Sequence, residues 1–307
     1  MWGLGLKSRP RAVDPWRVLE IHPDTVYGGL PLTDEQRLAY LEYHRARNAA
    51  NLAASRRLGL RARRVSGLHA HAPRDTEPNR RQVFGYFGWA YKRLAHRFAA
   101  AGDGAVTILD LGCGAGTLAR VLAEAGARGR YIGVDLVPRS SWSRLDRVGG
   151  LSVEFIEADA HTVNLDGLGG IDLLVSELSL QEFTHDAEVL RRFDALLTEP
   201  GVHLHAVPAP GALAAFGPSG YRQYTPLCLS RLLPYATLHS VGGPAGRWFG
   251  RFEAPLWGAA SRAAETMDRR VWSWAPTVYG VCGVDLEDLC HLGPGVGGRA
   301  EPDERAA

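Results

Sequence analysis

Residues 108–117 read Ile-Leu-Asp-Leu-Gly-Cys-Gly-Ala-Gly-Thr. A short apolar strand runs straight into Gly-x-Gly-x-Gly, and an alanine-rich helical stretch follows to about Gly126. Glycines at those steps allow a tight turn and let a ligand lie against bare backbone at the start of a helix. Such a loop alone is weak evidence, so its neighbours decide. Downstream, strands are expected at Tyr131–Asp135, Val153–Ile156, Ile171–Val175 and Val202–Val207, with a helix at His185–Leu197. Strands alternating with helices argue for a parallel sheet with helices on both faces. A helix at Pro226–Leu233, a weak strand at 237–241 and a last strand at 277–284 complete the pattern.

Two further acids sharpen the reading. Asp135 ends the second strand of this set, where a carboxylate can accept hydrogen bonds from both ribose hydroxyls of a nucleoside. Asp159 follows the third, where an acceptor can reach an exocyclic adenine amine. A nicotinamide dinucleotide wants Gly-x-Gly-x-x-Gly and an acid about 20 residues on. Asp135 lies at nearly that distance, but the third glycine is wrongly spaced. Asp110, two residues before the first glycine, and Asp159 favour an adenosine carrying an amino-acid-like tail.

The segments LDLGCGAG (109–116), YIGVDLVP (131–138), EFIEADA (154–160) and IDLLVSELSLQEF (171–183) resemble the class I S-adenosylmethionine-dependent methyltransferases, in particular the small-molecule, type 11-like ones. The resemblance covers about 105–210 and extends toward 285. It implies an α/β fold: a Rossmann-like, seven-stranded mixed sheet with helices on both faces, its last strand antiparallel between the fifth and sixth. It implies S-adenosyl-L-methionine as cofactor, with Gly112, Gly114 and Gly116 along the methionine portion and Asp110 supporting the loop. Asp135, Leu136, Asp159, Ala160 and Glu177 complete the implied cofactor contacts.

Methyl transfer needs the acceptor lone pair in line with the methyl–sulfur bond, and a hydroxyl acceptor also needs a base. Many small-molecule members of the family carry a histidine pair where this chain has Gln181 and Glu182. Glu182 and His185 are the nearest titratable groups and the candidate catalytic residues. His203 and His205 fall inside a strand and read as packed, hydrogen-bonded core residues. Tyr221 and Arg222, in the turn before the 226–233 helix, are candidates for acceptor contact.

The 307 residues carry a net charge of +2, but unevenly. Residues 1–100 hold 18 basic against 8 acidic side chains, and the remainder 17 against 25. Arginines 56, 57, 61, 63, 64, 74, 80 and 81 crowd one loop. Thr33 and Gln36 form a capping-box pattern opening a helix to about Arg57, with Leu38, Leu41, Tyr43, Ala49 and Leu52 available for an apolar face. Asn79 is the expected cap of a second helix whose Val83, Phe87, Tyr91, Leu94 and Phe98 recur at helical steps. The expected organisation is an N-terminal arm and helical lid (1–102), a methyltransferase domain (103–292) with a helical insertion at about 244–274, and a disordered tail (293–307).

No apolar run is long enough to cross a bilayer, and the N-terminus lacks signal-peptide features, so a cytoplasmic location is expected. The scattered cysteines argue against a metal site or a disulfide framework. Trp248, Phe249, Phe252, Trp257, Trp272 and Trp274 suit carbohydrate stacking, membrane-surface contact, a homodimer interface or packing of an inserted helix. The expected activity is methyl transfer to a small molecule, most naturally an oxygen of a sugar, nucleoside or other specialised metabolite, without specific nucleic-acid binding. The alternatives are an RNA methyltransferase and a cofactor-binding enzyme with other chemistry.

Overall fold

The strands of the computed structural model are β1 (Arg63–Arg64), β2 (Val106–Leu111), β3 (Arg128–Asp135), β4 (Arg147–Val148), β5 (Gly150–Glu157), β6 (Ile171–Glu177), β7 (Leu197–Pro208), β8 (Thr237–Val241) and β9 (Val278–Cys282). The structure describes residues 32–243, 245, 257–270, 276–287 and 289. All nine strands lie in one sheet, ordered β1-β8-β9-β7-β6-β2-β3-β5-β4. β5, β3, β2, β6 and β7 run parallel, while β9 is antiparallel to both β7 and β8. The expected seven strands and the inserted last strand are therefore present. The count of nine comes from two-residue strands added at each edge, β1 beside β8 and β4 beside β5.

The apolar runs behind the central strands follow from burial on both faces. β2 sends Val106 and Ile108 into one core and Leu109 and Leu111 into the other. The first core is covered by α2 (Pro78–Ala101), which contributes Val83, Phe84, Tyr86, Phe87, Ala90, Tyr91, Leu94 and Phe98. α2, grouped with the lid in the sequence reading, is thus buried against the sheet, after α1 (Asp34–Arg57) at the N-terminal side. The helix starts at Pro78, whose fixed φ suits the first turn, so Asn79 lies inside it rather than capping it. α3 (Thr117–Glu124) follows the glycine loop, α4 (Asp186–Asp194) follows β6, and α5 (Pro226–Leu232) and α6 (Trp257–Arg270) precede the last two strands.

α1 has the expected capping box, with Thr33 Oγ1 accepting the Gln36 N–H and Gln36 Oε1 accepting the Thr33 N–H. Its buried side chains are Tyr40, His44, Asn48 and Ser55, whereas Leu38 is 62% exposed and Ala49 is also exposed. Leu41, Tyr43 and Leu52 are half-buried, so the expected apolar face is only partly formed, because α1 packs on residues 213–219 and on α5 rather than on the sheet. Of the proposed insertion only α6 is described. Trp248, Phe249, Phe252, Trp272, Trp274 and the tail at 293–307 lie outside the described residues.

Candidate functional site

At the carboxyl ends of β2, β3 and β6 the sheet opens into a cavity of about 690 Å³. Its floor is the glycine loop. The Gly112 and Cys113 N–H groups both donate to the Val134 carbonyl, at 2.8 and 3.1 Å, which pins the loop to β3. Gly112 has φ +71°, and a Cβ there would stand 2.4 Å from Ser179 Cβ. Only glycine satisfies both constraints. Gly114 faces open space, and its N–H donates to Asp135 Oδ2 at 2.8 Å. Gly116 serves differently. It starts α3 in the left-handed conformation under the Phe155 ring and does not line the cavity.

Asp110 is 1% exposed on β2 and lines the cavity. Its Oδ2 accepts the Tyr131 hydroxyl, and its Oδ1 has no hydrogen-bond partner. Burial pushes its carboxyl up to about 7, with Glu177 and Asp135 adding to the rise. Glu177 ends β6, and Arg80 reaches it from α2 at 2.7 Å. Burial raises the Glu177 carboxyl, and Arg80 opposes that rise. Asp135 ends β3 and accepts the Val137 N–H through Oδ1 at 3.0 Å, while Leu136 beside it is 66% exposed on the cavity rim.

Asp159 and Ala160 lie on the same wall, joined by His161. Asp159 Oδ1 accepts the His161 N–H at 2.8 Å and meets His161 Nδ1 at 2.7 Å. These bonds, the backbone one first, hold the Asp159 carboxyl below its usual range. His161 Nε2 accepts the His185 N–H at 3.4 Å, so the ring's proton sits on Nδ1.

Glu182 stands at the mouth with Tyr221 and Arg139. Burial raises its carboxyl, the Asp135 charge adds to this, and Arg139 opposes it. Gln181 is fully buried and does not line the cavity. His185 is likewise outside it, exposed at the start of α4.

The structure therefore brings Asp110, Gly112, Gly114, Asp135, Leu136, Asp159, Ala160, Glu177 and Glu182 to one cavity, and leaves Gly116 and His185 out. Sequence reasoning missed Arg80, Arg139 and His161. The Asp-x-His spacing at 159–161 was a usable signal for His161. Nothing local marks Arg80, which comes from a helix some thirty residues before the loop. Among the described residues no group of three or more His, Cys, Asp or Glu is arranged to hold a metal ion. No described helix is long and apolar enough to cross a membrane.

Residues 108–201 match the family model described as a methyltransferase domain. The match spans the glycine loop, β3, β5 and β6, the same segments that resemble the class I S-adenosylmethionine-dependent methyltransferases. S-adenosylmethionine is the cofactor that this resemblance implies. Solved structures of similar fold include the plantazolicin methyltransferase BamL in complex with a triazolic desmethylPZN analogue and SAH. It is 15% identical, with 78% of this chain and 97% of that one covered and a TM-score of 0.47. The related BpumL complex is 14% identical over 80% and 97%, with a TM-score of 0.43. The [4+2]-cyclase SpnF is 18% identical over 62% and 80%, with a TM-score of 0.40. No curated protein matches the chain.

Proposed function

We propose that this methyltransferase acts on an oxygen of a compact metabolite, such as a sugar or nucleoside, in the cytoplasm, with Glu182 as general base. The observation that carries the proposal is Glu182 itself, a carboxyl at the cavity mouth whose proton affinity is raised by burial and by Asp135. A carboxylate whose pKa is raised above its ordinary range accepts a hydroxyl proton more readily than an ordinary one. Tyr221, beside it on the rim, offers a hydroxyl and a ring to the acceptor. His185 is the weaker candidate, since it stands outside the cavity.

The residues present fit the cofactor. Asp110 Oδ1, buried and unpartnered on the cavity wall, together with Glu177 suits an ammonium group. Gly112 and Gly114 leave room for the methionine chain, Asp135 for the ribose hydroxyls, and Leu136, Asp159 and Ala160 for the adenine. When bound, the cofactor supplies an electrophilic methyl on a sulfonium. The chain's part is to orient: holding two reactants in line is worth roughly 7–11 kcal/mol before any base acts.

Three arginines of the basic half support a small acceptor over RNA. Arg63 pairs with Asp285 and Glu287, Arg80 with Glu177, and the buried Arg81 donates to the His69 and Arg74 carbonyls. Such groups brace the fold instead of forming a free phosphate-binding stripe. The test is methyl incorporation from labelled cofactor into a metabolite extract and into total RNA. Label in the metabolite fraction is expected. Label in RNA at about 150 mM salt, where non-specific contacts are weakened, would reverse the assignment.

A further inference from the structure

Asp135, Leu136 and Arg139 all line the cofactor cavity, yet residues 136–140 are exposed and gain no hold from a core. Exposed backbone and side chains keep a fixed orientation only where bonds offset the entropy of ordering them. This segment is bonded at its two ends, and both ends grip the same residue of the glycine loop. At the first end the Gly114 N–H donates to Asp135 Oδ2 at 2.8 Å. At the second the Trp142 indole Nε1–H donates to the Gly114 carbonyl, also at 2.8 Å. The neighbouring Ser141 hydroxyl donates to the Ala115 carbonyl at 3.0 Å, and the Trp142 backbone N–H closes the turn on the Arg139 carbonyl at 3.0 Å.

Trp142 is half-buried and does not line the cavity. Its ring has a seat of its own, stacked on Phe155 of β5 with centroids 4.8 Å apart and planes within 4° of parallel. Phe155 packs in turn on the core beneath α2. The indole N–H is therefore aimed from the sheet at the back of the glycine loop. The other donor to the Gly114 carbonyl is the Cys113 thiol, a weak one at 3.8 Å. Gly114 has φ +53° and no side chain, so nothing of its own resists rotation of its two peptide groups. If the carbonyl is released, the residue can turn. Asp135 then loses one of the two N–H donors, Gly114 and Val137, that fix its carboxylate.

We propose that Trp142 is a positioning residue for the cofactor: by holding the Gly114 carbonyl it keeps the Asp135 carboxylate oriented for the ribose hydroxyls. The same bond fixes the far end of the segment that carries Leu136 and Arg139 along the cavity. The site is thereby organised before any ligand enters, which lowers the ordering cost of binding. This role rests on the cofactor lying in this cavity, as proposed above.

The experiment is calorimetric titration of SAH into wild type, Trp142→Phe, Asp135→Ala and the double variant, with circular dichroism confirming that each is folded. Phenylalanine keeps a ring against Phe155 and removes the N–H donor. Trp142→Phe should weaken SAH binding about three- to tenfold, the worth of one neutral hydrogen bond. In the Asp135→Ala background the same substitution should cost less, because the carboxylate through which it acts is gone. A general loosening of the fold would cost the same in both backgrounds. No SAH binding by wild type overturns the cofactor placement and this role together. Wild-type binding that Trp142→Phe leaves unchanged overturns this role alone, and so does an equal or larger loss in the Asp135→Ala background.

Discussion

Asp110 concentrates the chemistry of the cofactor site in one carboxyl. Its ordinary value near 3.8 is pushed up to about 7 in the fold, so the native state holds its proton more tightly than the unfolded chain does. Stability contributed at this position is therefore greatest in acid and declines as pH rises from about 4 to about 7. Asp110→Asn removes that decline. Urea unfolding of the cofactor-free protein should show the variant gaining on wild type between pH 5 and pH 8, while its SAH affinity falls. At the cavity mouth, Glu182→Gln should lower kcat by about 10²- to 10⁴-fold, with SAH affinity kept. The wild-type rate should fall as pH drops through the raised Glu182 value, and the residual rate of the variant should not follow that limb. A third chain of residues is structural. The Asp194 carboxylate only accepts, so His203 carries its proton on Nε2 at 2.9 Å from it. His203 Nδ1 then accepts from His205 Nε2 at 3.0 Å, and His205 Nδ1 accepts the Ser176 hydroxyl at 2.9 Å. Ser176→Ala leaves a buried nitrogen unpaired, and chemical denaturation should register a loss of about 1–3 kcal/mol. The strand position of His203 and His205 was enough to read them as satisfied core residues. The partners Ser176 and Asp194 come from other elements and left no mark beside them.

Among the elements, α2 shows how close approach is written in small residues. Its Gly85 and Gly88 face the turn at 68–71, where a Cβ would stand 1.9 Å from the Leu68 carbonyl oxygen and 2.3 Å from that of His71. On the strand side, Gly280 of β9 lies flat beneath the Tyr86 ring, 2.3 Å from an added Cβ. Gly85→Ala favours an isolated helix by about 1 kcal/mol, yet the backbone of the 68–71 turn has to move to admit it. The net outcome expected is a lower melting temperature despite the better helix former. Periodicity alone was enough to read the existence and the buried face of α2, because an aromatic stripe at helical spacing has one physical use. It failed for α1, whose buried face is polar and is matched by residues about 170–180 positions away. Edge strands of two residues, such as β1 and β4, carry no periodic signal at all.

For the whole molecule, burial of neutral histidines sets the acid limit. Burial and neighbouring positive charge lower His44 and His239 to about 4, and burial lowers His203 and His205 as well. The unfolded chain therefore takes up protons first as pH falls from about 6.5 toward 4, and stability falls with it. His71 is lowered too, while the raised carboxyls of Asp110, Glu177 and Glu182 act in the opposite direction, three groups against five. The melting temperature should be lower at about pH 4.5 than at pH 7, and a rise would show that these rings are not held neutral. The order of the sheet, including the antiparallel β9 between β7 and β8, was legible through the resemblance carried by 109–183. The site was legible where acids stand at strand ends, as with Asp135, and illegible where a distant helix supplies the side chain, as with Arg80. The most direct test is calorimetric titration of SAH into wild type and into Asp135→Ala, with circular dichroism confirming that the variant is folded. Wild type should bind, and the variant should bind about tenfold or more weakly. No binding by wild type, or equal affinity in a folded variant, would contradict the placement of the cofactor in this cavity.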